Sequence, residues 1–148
     1  MPLVKRMKYI EAIGRNWPNV QCHVEGDEDT YETLVWDAGA PIPTKADVEF
    51  YIYTPTEAEY TQAVTNFMDE KAQERKYDTI HTAALRAAYP GPFHDEGVAY
   101  AAWMDNVWIS LYAKMGRVLR NEEPYPSIDE LLASLPALVL PDRPSGAA

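Results

Sequence analysis

Apolar residues return every three or four positions through most of the chain and every second position over one short stretch. The first spacing keeps one face of a helix on a core, and the second does the same for a strand. Val4, Met7, Ile10 and Ile13 follow the helical spacing over residues 3–16, and Gly14 with Asn16-Trp17-Pro18 supplies a stop. From Val20 the period becomes two. Val20, Cys22 and Val24 alternate with polar residues, Gly26-Asp27-Glu28-Asp29 makes a turn, and Tyr31, Thr33 and Val35 resume the alternation. A β-hairpin ending at Trp36 is predicted.

Asp37 to Pro43, with Gly39, Pro41 and Pro43, reads as a loop. Thr44 stands three residues before Asp47, close to a capping box for a short helix through Tyr53, while the alternation Val48, Phe50, Ile52 fits a strand. Both readings stay open. Thr54-Pro55-Thr56-Glu57 combines a hydroxyl cap, a proline at the first helical position and a glutamate placed to return a bond, so a helix from Pro55 to about Lys76 is predicted. Its stripe is Tyr60, Ala63, Val64, Phe67 and Met68, read as internal packing. Asp69, Glu70, Lys71, Glu74 and Arg75 fall on the solvated side.

Asp78 can cap a helix over Thr79–Ala88, which Tyr89-Pro90-Gly91-Pro92 must break. A long helix follows from near Phe93 to about Arg120, with Ala101, Met104, Trp108, Leu111, Met115 and Val118 in phase. Ser127 and Glu130 form a capping box that opens a short helix through Ser134. Leu135 to Pro141 is then an apolar strip bounded by prolines, and Asp142 to Ala148 is a tail of small residues. The pattern gives an α+β chain: a lobe over residues 1–54 made of a small helix and a β-hairpin, a mainly α-helical lobe over 55–135, and an extended apolar and proline tail over 136–148.

Composition narrows the function classes. At 148 residues, 47% hydrophobic and 24% charged, the chain has the balance of a folded protein able to bury a core. The 23 acidic residues outnumber 13 basic ones for a net charge of -10, which repels phosphate backbones and anionic headgroups, so neither nucleic acid nor membrane is an expected partner. No apolar run approaches the roughly 20 residues of a membrane span. Synthesis in the cytoplasm is expected. With Cys22 as the single cysteine, an intrachain disulfide is impossible.

Candidate chemistry is sparse. His94, Asp95 and Glu96 are adjacent and His81 precedes them, but neighbouring positions on a helix point in different directions, and acids in a first turn are what the helix dipole favours. A solvated helix start is the favoured reading. Cys22 and His23 would project to opposite faces of a strand, and Asp27-Glu28-Asp29 lacks the spaced oxygens of a calcium loop and reads as a solvated turn. No phosphate-cradling glycine loop is present. No catalytic, cofactor or metal residue is assigned, and an enzyme is not expected.

The surplus signal is aromatic, with four Trp and ten Tyr. Trp103 and Trp108 lie five positions apart and so face different sides of their helix; two core tryptophans at an edge is the favoured reading, and one core with the other available to a partner is the alternative. The strip after Ser134 would be costly to leave exposed, so it either docks across its own lobe or inserts into another subunit. Trp103, Trp108 and Tyr112, with Leu135, Leu138 and Leu140, are the candidate partner-contacting residues. Truncation after Pro136 is expected to weaken binding without unfolding the lobes.

Tyr77-Asp78-Thr79-Ile80, Phe93-His94-Asp95-Glu96-Gly97, the Trp103 and Trp108 pair, and Pro126-Ser127-Ile128-Asp129-Glu130-Leu131-Leu132 running to Leu135-Pro136 together resemble the carboxy-terminal region of tail-fibre-associated proteins of tailed bacteriophages. That likeness covers roughly the second half of the chain, from about Ala63. Trp17-Pro18-Asn19, the acidic turn, and Trp36 ahead of Ala40-Pro41-Ile42-Pro43-Thr44 are similar to the small XkdW-like proteins of phage tail gene clusters. The chain departs from the pattern in its extension past Leu138 and in Tyr89-Pro90-Gly91-Pro92, where a looser loop of small residues is expected. The resemblance implies a structural component of the virion tail, bound to a trimeric tail fibre or to the baseplate. A fibre assembly chaperone is the alternative it implies.

Overall fold

A computed structural model of the chain describes residues 4–37, 39 and 41–144. The chain divides into two compact units, Met1–Thr56 and Glu57–Ala148, each with its own core.

In the first unit α1 (Tyr9–Asn16) precedes a two-stranded antiparallel sheet of β1 (Cys22–Val24) and β2 (Leu34–Trp36), and α2 (Lys45–Tyr53) follows. The register pairs Cys22 with Trp36, His23 with Val35 and Val24 with Leu34. Gly26, at φ +94°, sits in the connection, in a region open to glycine at little cost. The hairpin is shorter than its alternation suggests, because Tyr31–Thr33 turn into one 3-10 turn before β2. There the Tyr31 hydroxyl donates to the Pro43 carbonyl at 2.7 Å. Helix α1 likewise starts at Tyr9 rather than near residue 3. The Arg6 amide donates to Ile52 O at 3.0 Å and its guanidinium to Tyr51 O at 3.0 Å, so the preceding segment satisfies the carbonyls at the end of α2 instead of extending α1.

The open choice over residues 44–53 resolves as helix. Thr44 Oγ1 accepts from the Asp47 amide at 3.1 Å while Asp47 accepts from the Thr44 amide at 3.2 Å. Val48 and Ile52, one turn apart, enter the core with Tyr9, Ala12, Ile13 and Leu34. Asp29 is not a merely solvated turn residue. It accepts the Tyr9 amide at 3.0 Å, filling one of the unsatisfied donors at the start of α1, and pairs with Lys5.

The second unit comprises α3 (Glu57–Gln73), α4 (Ile80–Ala84) continued as a 3-10 turn over Leu85–Ala88, α5 (His94–Leu119) and α6 (Ile128–Ala133). Tyr60, Val64, Met68 and Ala72 of α3 meet Ile80, Ala83, Tyr100, Trp103, Val107, Leu111 and Leu131 in one core. Three boundaries differ from the sequence reading. Helix α3 begins at Glu57, since Thr54 instead closes α2 by donating its amide to Phe50 O. It ends at Gln73, and Lys76, at φ 71°, turns the chain so that the Tyr77 amide reaches Ala72 O at 3.2 Å. Thr79 rather than Asp78 caps α4, accepting the Thr82 amide, while the Ile80 amide donates to Asp69 Oδ1 at 2.9 Å. Asp69 therefore leaves the solvated set. The Ser127 and Glu130 capping box forms as spaced.

Candidate interaction surface

Helix α5 is apolar on more than one side, and that decides where the singled-out residues lie. Its most buried line runs through Gly97, Tyr100, Trp103, Val107 and Leu111. Of the phase read from the sequence, Leu111 and Val118 are buried and Met104, Trp108 and Met115 pack against the core from its edge, while Tyr100, Trp103 and Val107 carry the buried line one position N-terminal of Ala101, Met104 and Trp108. Trp103 is 4% exposed, its indole N–H donates to the Pro136 carbonyl at 2.8 Å, and its ring packs 6.0 Å from Phe67. A side chain so placed holds its own unit together and is corrected here from a partner contact to a core residue. Trp108 stays half-buried, stacked on Tyr112 with ring centroids 6.0 Å apart and planes 26° from parallel.

The strip takes the first of its two alternatives. Leu135, Leu138 and Leu140 pack against the core of their own unit, while Val139 is 81% exposed. The strip borders an open cleft of about 610 Å³ that Phe67, Lys71 and Glu74 help to line. Beyond it Arg143 is anchored to Glu96, and this clasp is the feature sequence reasoning missed. Glu96 is 4% exposed rather than solvated. Its carboxylate accepts from Arg75 Nη1 at 2.8 Å, Tyr77 Oη at 2.8 Å and Arg143 Nε at 3.1 Å, and Arg143 also donates to the Arg75 carbonyl at 2.8 Å. Burial alone would raise the pKa of Glu96. The hydrogen bonds from Tyr77 and Arg143, with the charges of Arg143 and Arg75, outweigh it and hold the carboxyl below its usual value. Arg143 further lies 5.6 Å from the centre of the Phe93 ring. A carboxylate ionised and enclosed by donors in this way is a fastening, poorly suited to exchanging protons with a substrate.

The remaining titratable candidates do not converge on a reaction. His94 contacts Asp95 at 3.2 Å on the surface, and His81 is exposed. Cys22 and His23 point to opposite faces of β1, and burial followed by the Asp37 charge raises the Cys22 thiol. Among the described residues no group of three or more His, Cys, Asp or Glu is gathered closely enough to hold a metal ion. No helix among them is long and apolar enough to cross a membrane.

Each unit instead keeps an apolar face outside its core. On α5, Ile109 is 65% exposed and Tyr112 and Leu119 are each 69% exposed, following one another at helical steps. On the first unit, Tyr51 packs edge-on against both Trp17, at 5.5 Å, and Phe50, at 5.2 Å, and Phe50 and Tyr51 are 44% and 40% exposed. Aromatic side chains in this setting offer large contact area with few torsions to fix. The alternation that left residues 44–53 ambiguous hid the second face, because it placed Phe50 in a core. No family model, curated protein or solved structure matches the chain.

Proposed function

We propose that this chain is a non-catalytic adaptor of a phage tail, a structural component that binds the tail fibre or the baseplate. The observation that carries the adaptor reading is that two compact units, each with a closed core, both leave an aromatic or aliphatic face in water. Such faces cost free energy in an isolated protein and characterise binding surfaces. The tail location comes from the resemblance of residues 77–136 and of the Trp17 and Trp36 segments to tail-associated proteins, and the net charge of -10 supports protein partners over nucleic acid.

The Trp17, Phe50 and Tyr51 face is the contact we assign to the tail partner. Co-expression with the fibre and baseplate chains of the same gene cluster tests this. One of those chains is expected to co-purify with the wild type and to be lost with the double variant Phe50→Ser, Tyr51→Asp, whose substitutions lie on an exposed face. Failure of every such chain to co-purify would overturn the proposal.

A further inference from the structure

We infer that the outer face of α5 pairs with the same face of a second copy of this chain, antiparallel, about a twofold axis between Ile109 and Tyr112. Ala102, Asp105, Ile109, Tyr112, Gly116 and Leu119 follow one another at alternating steps of three and four along the solvent side of α5. That spacing is the seam of a two-helix coiled coil, here about 26 Å long. The opposite side of α5 is committed to its own core through Tyr100, Trp103, Val107 and Leu111.

The side chains on the seam complement their own reversed order. In the antiparallel register Ile109 faces Tyr112 of the second copy, and the large Leu119 faces the small Ala102. Asp105, the charged member of the seam, faces Gly116, which has no side chain. A Cβ at Gly116 would come 3.3 Å from Arg120 Nη1, so a guanidinium that Glu122 holds through Nε and Nη2 presents its Nη1 edge at the spot where the Asp105 carboxylate of the second copy would arrive. In a parallel pair Asp105 would oppose Asp105 and Gly116 would oppose Gly116, a like-charge contact and a void. Charge and size thus select both the partner and its direction.

Sedimentation velocity on the full chain tests the pairing independently of any tail role. The wild type is expected to sediment as a dimer at micromolar concentration, and Ile109→Asp as a folded monomer with the helix content of the wild type, since Ile109 is exposed. Asp105→Arg and Arg120→Asp alone should each weaken association by roughly tenfold or more, through like charges set face to face. The double variant should recover it. A wild type that stays monomeric through the high micromolar range, or a dimer indifferent to Ile109→Asp, would overturn the inference. Either result would leave the co-purification of tail chains to stand or fall on its own.

Discussion

At the scale of single residues, two neighbours on the first turns of α5 hold the second unit together for different physical reasons. Glu96 joins Arg75 and Tyr77, which follow α3, to Arg143 in the tail, so removing its charge leaves guanidinium groups without the anion they surround. Glu96→Gln is expected to lower stability by about 2–3 kcal/mol at neutral pH in denaturant titrations. The folded pKa lies below the unfolded value, so the carboxylate's contribution is fully present above the unfolded pKa, about 4.3, and fades as pH falls through the lower folded value. The gap between wild type and variant should therefore close below about pH 4. A gap independent of pH would mean that the ion cluster contributes nothing. Gly97 acts by absence. A Cβ there would stand 2.4 Å from the Ala87 nitrogen and 2.7 Å from the Arg86 carbonyl carbon, backbone atoms that cannot rotate away. Alanine gains about 1 kcal/mol of helix propensity over glycine, less than the strain of prising α5 from the preceding turn. Gly97→Ala should lose about 2–3 kcal/mol net, and a stabilised variant would show that the approach is looser than described.

At the scale of elements, the strip from Leu135 to Leu140 and the Arg143 clasp act as one closure. Leu138 and Leu140 face the core, Pro136 accepts the Trp103 indole, and Arg143 fastens the end. Truncation after Pro136 is accordingly expected to destabilise the second unit by about 2–4 kcal/mol, read by thermal unfolding, in place of the neutral outcome the sequence suggests. A truncated chain that melts like the wild type would overturn this account of the strip. What was legible in the sequence follows the same line. The caps at Thr44 with Asp47 and Ser127 with Glu130 could be read because the bonds close within three residues. Glu96 could not, since it sits in an acidic helix start and its partners are 19 to 47 residues away. The phase read for α5 found Leu111 and Val118 but put Ala101, Met104 and Trp108 ahead of the more deeply buried Tyr100, Trp103 and Val107, because α5 carries apolar residues on adjoining sides and periodicity alone does not rank them. The 3-10 turn at Tyr31–Thr33 keeps strand-like composition, and the bonds of Tyr31 to Pro43 O and of Thr33 Oγ1 to Glu28 O and Thr30 O set it apart.

At the scale of the whole molecule, both cores are closed by their own residues, and the aromatic and aliphatic faces left outside them are what the chain has to offer other proteins. The adaptor reading asks one face, around Tyr51, to meet a tail protein, and the pairing of α5 asks the other to meet a second copy. A dimer would present two tail-binding faces and so strengthen weak contacts by raising their effective concentration. The most direct test of the proposed tail role is quantitative mass spectrometry of density-purified tailed-phage particles produced from the genome that encodes this chain. Peptides of this chain at a fixed ratio to the fibre protein are the predicted result. Their absence from particles that retain fibre and baseplate would contradict a structural role in the tail.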